Sequence, residues 1–317
     1  MSREVAAAFA AYFSRIELNP ARAQLASERY NAVKTAIEAA SPDLKVRQIG
    51  SFQRKTKIRP RSLGDGLDVD ALVVLGEART YSSDGTGTTP VAAQDRVFRA
   101  LTASKIYRVM RPVKDAPTVM LEYEDRDGFT IELVPAFVEL TGKYPRPGGP
   151  PCYIIAGANG QWIPADYDYD AAVITGLNRS PAVQGTLVPM IKLAKMFFRT
   201  MQLEWKSFHI EVLAATLLPR ILESWEARGL TWDYPEAFGA LLQLLPNAMT
   251  NAAALPGSFS PPVVSGIEPG LLDRAAAYVR NRADAARQNL ESADAEALVA
   301  WREFFKDAFP ASYGSRP

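Results

Sequence analysis

The fold prediction starts from the segment LDVDALVVL at residues 67–75. This segment is typical of a hydrophobic strand, and two carboxylates lie at its start. Side chains alternate between the two faces of a β-strand, so Asp68 and Asp70 share one face and Leu72 and Val74 continue that face with apolar groups. Two adjacent carboxylates raise each other's pKa unless a positive group joins them. The pattern favours a site for Mg²⁺ or Mn²⁺, and two solvated aspartates at a strand start are the alternative.

A third acid stands in a second predicted strand. Glu132 is the sole acid of the segment FTIELVP at residues 129–135, and its neighbours Ile131 and Leu133 face the other way. Three acids on two neighbouring strands form the kind of site that clamps the attacking and leaving oxygens of a phosphoryl transfer with two metal ions. The alternative for Glu132 is an exposed position at a sheet edge.

A cation-rich segment precedes the first pair of acids. Residues 45–61 contain seven Lys and Arg residues and no acid, and Gly50-Ser51 stands 17 residues before Asp68. A Gly-Ser that follows a strand can offer backbone N–H groups and a hydroxyl to a triphosphate, while nearby cations neutralise phosphate oxygens. A solvated charged surface is the alternative for the cations. Asp65 is interpreted as a turn residue.

The first half of the chain alternates between helix and strand patterns. Two helices are predicted between residues 4 and 40, and a further helical segment near residues 91–104. Strands are predicted at Lys45–Ile49, Leu67–Leu75, Thr118–Tyr123 and Phe129–Val134. The Asp127-Gly128 pair between the last two strands indicates a hairpin, and residues 82–90 are typical of a loop. We therefore predict a mixed sheet with helices.

The second half of the chain is predicted to be helical. The Pro- and Gly-rich stretch Gly142–Pro151 separates an α/β domain, residues 1–150, from a mainly helical domain, residues 151–317. The predicted helices are Leu187–Met201, Phe208–Glu226, Tyr234–Leu245, Leu271–Asn289 and Ala293–Phe309. In the first of them an apolar stripe faces away from Lys192, Lys195 and Arg199, which recur at helical spacing. The tail at residues 312–317 is expected to fray.

Composition excludes several classes of protein. Hydrophobic residues make up 48% and charged residues 22% of 317 residues, which is ordinary globular composition. The net charge of +1 does not favour a general attraction to duplex DNA or anionic membranes. With one cysteine, Cys152, and one histidine, His209, multi-ligand zinc sites are excluded. No segment is apolar for long enough to cross a bilayer, and we expect a cytoplasmic protein without a membrane partner.

These motifs together resemble a known superfamily. Gly50-Ser51 with the following RKT, the LDVD strand and the ELVPAF segment at residues 132–137 resemble the polymerase-β-like nucleotidyltransferases, and more narrowly the CD-NTases, bacterial relatives of cyclic GMP-AMP synthase and oligoadenylate synthase. The helical half adds Lys195 and the segment KSFHIE at residues 206–211. The resemblance covers residues 44–215 in the expected order, with glutamate where the family more often has aspartate as the third acid.

The resemblance implies a site in the cleft between a nucleotidyltransferase core and a helical bundle domain that completes the nucleotide pocket. Asp68, Asp70 and Glu132 are expected to be catalytic and to hold two Mg²⁺ or Mn²⁺ ions. The expected nucleotide-binding residues are Gly50, Ser51, Arg54, Thr56, Lys192, Lys195, Ser207 and Phe208. Ser207 could instead cap the following helix, Phe208 could be a core residue, and His209 is interpreted as a packed, hydrogen-bonded side chain.

The activity implied by the resemblance is template-independent joining of NTPs, ATP among them, into a cyclic di- or trinucleotide second messenger in anti-phage (CBASS) signalling. Implied partners are an effector that responds to the product and a regulatory protein. The absence of a zinc-binding insertion argues against zinc-dependent DNA sensing. Three alternatives stay open: synthesis of linear oligonucleotides, transfer of a nucleotide to RNA or protein, and nucleotide sensing without catalysis.

Overall fold

The computed structural model describes residues 3–60, 66–78, 88–124, 128–157, 160–202, 205–306 and 309–310. The elements in chain order are α1 (Arg3–Ile16), α2 (Pro20–Ala40), β1 (Lys45–Gln48), α3 (Gly50–Gln53), β2 (Leu67–Ala78), α4 (Pro90–Ala103), α5 (Lys105–Val109), β3 (Val113–Asp115), β4 (Thr118–Tyr123), β5 (Phe129–Glu139), β6 (Tyr153–Ala156), β7 (Trp162–Ala165), α6 (Tyr167–Arg179), α7 (Leu187–Thr200), α8 (Ser207–Glu226), α9 (Tyr234–Ala248), α10 (Pro269–Glu291) and α11 (Asp294–Phe305).

The sheet is mixed, as predicted. Its order is β1-β2-β5-β4-β3, with β6 paired to β5 and β7 to β6. Strands β2 and β5 are parallel, and the other pairs are antiparallel. The expected pairing of β4 with β5 is confirmed, while the three turn residues 125–127 lie outside the described residues. The parallel pair brings the two acid-bearing strands side by side.

The two faces of the sheet have different neighbours. Apolar side chains of β2 and β5, among them Val69, Ala71, Ile131 and Leu133, pack with α2 and α4 in one core. The opposite face carries the acids at one end and a smaller apolar cluster that includes Leu72 and Val134. Because strand residues alternate between faces, one face is used for folding and the other is left for the site.

Helices α7 to α11 form a second core, and α1 packs within it. The Phe9 ring of α1 lies 5.0 Å from the Trp301 ring and 5.2 Å from the Phe309 ring, and Tyr12 lies 4.9 Å from Phe305. Aromatic pairs at such distances add to the stabilisation from burial. The helix that opens the chain therefore packs with the helical half rather than on the sheet.

Other differences from the sequence expectations concern short or extended elements. Strands β6 and β7 belong to the sheet although they follow residue 150, and helices α5 and α6 and strand β3 were not predicted. Strand β2 extends three residues beyond the predicted end, and α11 ends at Phe305 rather than Phe309. Asp65, residues 82–87 and the tail 312–317 lie outside the described residues. Among the described helices, none is long and apolar enough to span a bilayer.

Candidate active site

The register of β2 and β5 aligns the acids. Asp70 pairs with Glu132, and Asp68 pairs with Thr130, in the parallel ladder. In-register residues of adjacent strands lie about 4.8 Å apart and point to the same face. Asp68, Asp70 and Glu132 accordingly line one cavity of about 250 Å³, which we call the polar cavity.

The electrostatics of these acids differ from those of solvated carboxylates. Burial raises the pKa of Asp70, and the nearby Lys57 and Arg54 only partly oppose that effect. Burial also raises the pKa of Glu132, and the charges of Asp70 and Asp68 raise it further. The carboxylate cluster therefore holds more negative charge than its protein neighbours neutralise, which is the condition that a divalent cation relieves.

The donor set suits a hard cation. All three side chains offer carboxylate oxygens, the ligands that Mg²⁺ and Mn²⁺ prefer. Among the described residues, no group of three or more His, Cys, Asp or Glu side chains is close enough together to hold a metal ion without other ligands. Mg²⁺ in phosphoryl-transfer sites is usually held by one or two carboxylates, with water and substrate phosphates as its other ligands, and such a site needs no closed cluster.

The Gly50-Ser51 turn contacts the carboxylates directly. Gly50 has a φ of +71°, and a Cβ atom placed there would lie 1.9 Å from Asp70 Oδ2. The preceding Ile49 N–H donates to the Asp70 carbonyl at 3.0 Å, so the turn is fixed to β2. Ser51 lines the polar cavity. A glycine is needed here for its backbone conformation and for the close approach of Asp70.

A buried carboxylate, Glu211, binds two of the cations that line the polar cavity. Glu211 of α8 accepts from Arg54 Nε at 2.7 Å and Nη2 at 3.2 Å, and from Lys195 Nζ at 2.6 Å. All three residues are buried. Burial raises the pKa of Glu211, but Lys195 and Arg54 outweigh that effect and hold it at about 2. The ionised Glu211 thus fixes two cations beside the acids.

Thr56 and Lys192 do not line the polar cavity and form hydrogen bonds elsewhere. Lys195 Nζ donates to the Thr56 carbonyl at 3.1 Å and to its hydroxyl at 3.4 Å, and Thr56 is fully buried. Lys192 Nζ donates to Glu17 Oε1 at 2.8 Å. Neither residue lines the polar cavity, whereas Lys195 does. Thr56 therefore lies next to the site as a partner of Lys195, and Lys192 lies outside it.

Helix α8 brings Ser207 and Phe208 to the polar cavity. Ser207 is the first residue of the helix and Lys206 takes the N-cap position without a side-chain capping bond, which differs from the capping role considered for Ser207. The Arg54 guanidinium lies 4.4 Å from the centre of the Phe208 ring. One face of Phe208 is thus covered, and only the other could stack on a base.

Three further charged residues line the polar cavity although they were not among the expected site residues. Lys57 donates to the Asp68 carbonyl at 3.0 Å and lines the polar cavity together with Arg199 and Glu211. A signal for Glu211 was present, because it is the only acid of the apolar run at residues 208–219. An isolated acid in a buried helix requires a cationic partner.

A second cavity adjoins the first. This apolar cavity of about 390 Å³ shares Arg54, Asp70, Glu132 and Phe208 with the polar cavity, and Gly50 lines the apolar cavity alone. Its other walls come from β6, β7, α6 and the loop that contains residues 260–261. The polar and apolar cavities therefore meet at the carboxylates.

His209 does not line the polar cavity. Its Nδ1 accepts from Trp205 Nε1 at 3.2 Å, so Nε2 carries the proton and donates to the Asn251 carbonyl at 3.1 Å. The ring is fully buried, and burial lowers its pKa. The interpretation of His209 as a packed, hydrogen-bonded side chain is confirmed.

Comparisons with known proteins agree with this geometry. Residues 3–150 match the model of the Second Messenger Oligonucleotide or Dinucleotide Synthetase domain. No curated protein matches the sequence. Among solved structures, CdnC of E. coli MS115-1 with ATP has a TM-score of 0.65 and 17% identity, over 96% of this chain and 98% of that chain. The same CdnC in complex with HORMA-deltaN has a TM-score of 0.65 and 17% identity, over 95% and 97%.

Vibrio cholerae DncV in its apo form has a TM-score of 0.61 and 14% identity, over 96% of this chain and 86% of that chain. At such identities the solved structures show the shared two-lobed fold, and the domain model adds the class of enzyme. A second-messenger synthetase domain over residues 3–150, together with this fold, shows that the chain is a nucleotidyltransferase similar to the CD-NTases.

Proposed function

We propose that the chain joins NTPs into a cyclic di- or trinucleotide second messenger. The observation that carries the proposal is the in-register pair of Asp70 and Glu132, which lines one cavity together with Arg54 and Lys195, the two cations bound by Glu211. Negative charge for metal ions and positive charge for phosphates thus line the same space.

Asp68, Asp70 and Glu132 would hold two divalent ions, Mg²⁺ or Mn²⁺. Bound ions supply charge neutralisation at the α-phosphate and at the leaving pyrophosphate. The protein's share is to keep three oxygen donors on one sheet face, where burial raises the pKa values of Asp70 and Glu132 and bound cations would favour their charged forms. We infer the ion type from the all-oxygen donor set.

Glu132 is the residue that we propose takes up the proton of the attacking ribose hydroxyl. The hydroxyl oxygen forms a bond to the α-phosphorus, the bond from that phosphorus to the bridging oxygen breaks, and pyrophosphate leaves with the electron pair. Glu132 pairs with Asp70 in the strand ladder and lines the polar cavity, so its carboxylate can accept a proton from a hydroxyl bound there. Repetition of this step on the remaining triphosphate would close a ring.

The phosphates of the donor would lie between the Gly50-Ser51 turn and helix α8. Ser51 and Ser207 offer hydroxyls, and Lys195 and Arg199 offer charge, along the polar cavity. The start of α8 adds backbone N–H groups and the positive end of its helix dipole. These groups reach the cavity from three elements, α3, α7 and α8, which would fix the triphosphate in one orientation.

The signalling role rests on the family. We propose that the product activates a separate effector in anti-phage defence, inside the cytoplasm. The complex of the similar CdnC with HORMA-deltaN supports a regulatory protein partner for this chain too. A pull-down that recovers such a protein, with dependence of product formation on its presence, would test that part.

The first experiment is incubation of the purified chain with the four α-labelled NTPs and Mg²⁺ or Mn²⁺, followed by phosphatase. We expect a labelled product that resists phosphatase and disappears in the Asp68→Asn/Asp70→Asn double variant. Mass spectrometry then separates a ring from a linear oligomer, and gel electrophoresis detects label on protein or RNA. Nucleotide binding without pyrophosphate release under all of these conditions would contradict the proposal.

A further inference from the structure

The apolar cavity contains one carboxylate that no step of the proposed reaction uses. Asp170 of α6 lines this cavity and is only 2% exposed. Its Oδ2 accepts from the Ser260 hydroxyl at 3.4 Å. Its Oδ1 is buried without a hydrogen-bond partner among the described residues. A carboxylate oxygen in this state retains its full capacity to accept donors from a ligand.

The environment of Asp170 works against its charge. Burial raises its pKa to about 6, which the Ser258 and Ser260 hydroxyls and Arg54 only partly counter. The group is still mainly ionised at neutral pH, and an ionised carboxylate only accepts hydrogen bonds. Buried charge that is incompletely satisfied is found more often at functional sites than in structural cores.

The walls of the apolar cavity suit a planar ring. Ile155, Ile163, Pro164, Tyr167 and Pro261 supply apolar and flat surfaces around Asp170. The volume of about 390 Å³ lies within the usual range of small-molecule sites. Since this cavity meets the polar cavity at Asp70 and Phe208, a nucleotide with its phosphates in one can place its base in the other.

The four bases differ in the hydrogen-bonding groups of their pairing edges. Guanine presents two adjacent donors, N1–H and the N2 amino group, and these match the two oxygens of one carboxylate. Adenine and cytosine each place a ring-nitrogen acceptor beside their amino donor, and uracil places carbonyl acceptors on both sides of its single donor. We propose that Asp170 selects guanine by accepting both of its edge donors, an inference that rests on the proposed nucleotide substrate.

The position of Asp170 is fixed by contacts around it. Arg146 donates to both carboxylate oxygens of Asp166 at 2.9 and 2.8 Å, and to the Gly257 carbonyl at 2.8 Å. Asp166 in turn accepts from the Phe259 N–H at 2.5 Å, and its own N–H donates to the Ser260 hydroxyl at 2.9 Å. The start of α6 and the loop that bears Ser260 are thereby joined, as a selective site requires.

The test measures binding by calorimetry of the α,β-methylene analogues of GTP and ATP, which cannot be joined, in the presence of Mg²⁺. We expect the wild-type chain to bind the GTP analogue about 10-fold or more tightly than the ATP analogue. In Asp170→Asn the carboxamide offers one acceptor and one donor, which complements adenine, and the preference should reverse. The matched control is Asp168→Asn on the same helix, because Asp168 does not line the apolar cavity. Asp168 instead forms an ion pair with Arg47 at 3.0 Å and accepts from the Tyr153 hydroxyl at 2.9 Å. This variant should leave the ratio of GTP-analogue to ATP-analogue affinity unchanged.

A second measurement needs no variant. The α,β-methylene analogue of inosine triphosphate lacks only the N2 amino group of the GTP analogue, and we expect it to bind about 10-fold more weakly. Equal binding of these two analogues, or an Asp170→Asn variant that weakens the GTP and ATP analogues equally, would overturn the role of Asp170. The ratios are read without turnover, so failure to release pyrophosphate would count against the proposed function alone.

Discussion

The two sides of the polar cavity carry opposite charges and differ in how far those charges are neutralised. On the strand side, Asp70 and Glu132 have raised pKa values because burial and their neighbours disfavour their charge. On the helix side, Glu211 has a lowered pKa because Lys195 and Arg54 bind it directly. The helix side is therefore complete in the sense that Glu211 has its counter-charges within the protein, whereas the charges of Asp70 and Glu132 on the strand side lack that compensation.

The largest expected effect follows from removing charge on the incomplete side. Asp70→Asn should lower nucleotidyl transfer by about 1,000-fold or more, because the loss of a metal-ligand carboxylate removes several kcal/mol of transition-state stabilisation. Stability should not fall, since burial disfavours the charge of Asp70 in the folded state. Pyrophosphate release and urea unfolding measure the two quantities. The control is Asp43→Asn, which removes an exposed carboxylate that does not line the polar cavity. Nucleotidyl transfer by Asp70→Asn at the wild-type rate would refute the proposed role of Asp70.

The complete side should respond mainly in stability. Glu211→Gln leaves Arg54 and Lys195 buried without their counter-charge and should lower the free energy of unfolding by about 3 kcal/mol at pH 7. The contribution of Glu211 is fully present above its unfolded pKa of about 4.5 and is lost as the pH falls towards 2. Urea unfolding at pH 7 and pH 3 should show the difference between wild type and variant narrowing. A difference that is constant with pH would contradict this linkage.

The contact between the Gly50 turn and Asp70 can be tested with a pair of glycines. In Gly50→Ala the new Cβ would displace the Asp70 carboxylate, and we expect activity to fall by about 10- to 100-fold, with a backbone cost of about 1 kcal/mol. Gly76→Ala is the control, because Gly76 also has a positive φ but, among the described residues, no atom within 4 Å of its Cβ position. If both variants lost activity equally, strain rather than displacement would explain the effect.

A smaller effect concerns the coupling among the acids. Asp68→Asn removes one of the charges that raise the pKa of Glu132, so the pKa of Glu132 should fall towards its ordinary value in the metal-free protein. Carboxyl NMR titration of the ¹³C-labelled chain measures the shift directly. An unchanged Glu132 titration would show that Asp68 does not act on it, and the shared negative charge would then be confined to Asp70 and Glu132.

The smallest effect is expected for the cation outside the cavity. Lys192→Gln removes an ion pair with an exposed carboxylate, Glu17, and should cost less than about 1 kcal/mol of stability. Nucleotide affinity should stay within about twofold, whereas Lys195→Gln should weaken it by about 10-fold or more. Calorimetry with the α,β-methylene ATP analogue compares the two variants. Equal losses would place Lys192 in the site after all.

Local sequence patterns were sufficient for the strand side of the site, whereas on the helix side Lys195, Ser207 and Phe208 were expected from the family resemblance and Glu211 was not selected. Alternation in LDVDALVVL and FTIELVP predicted the shared face of Asp68, Asp70 and Glu132 because strand periodicity is local. The contacts of Arg54, Lys195 and Glu211 join residues up to 157 positions apart, and no local pattern encodes such a pairing. Lys192 and Lys195 look alike in the sequence, yet only Lys195 is turned towards the cavity.

The same distinction applies to the fold. Long amphipathic helices such as α8 and α10 were predicted to within two residues at each end, because the apolar stripe extends over many turns. Strands β6 and β7, four residues each, were missed, since they are too short for an alternating pattern to stand out. The packing of α1 depends on aromatic partners near residue 305, which only the tertiary structure brings together.

The position of α1 also bears on how the chain folds during synthesis. The aromatic rings of α1 have their main partners on and just after α11, almost 300 residues later. The sheet can form as soon as β5 and β6 leave the ribosome, because domains generally fold as units in order of synthesis. Phe9 and Tyr12 would then stay exposed while the rest of the chain is translated. We thus expect the helical half to complete its folding last. An arrested or truncated chain would expose the hydrophobic face of α1, which chaperones could bind.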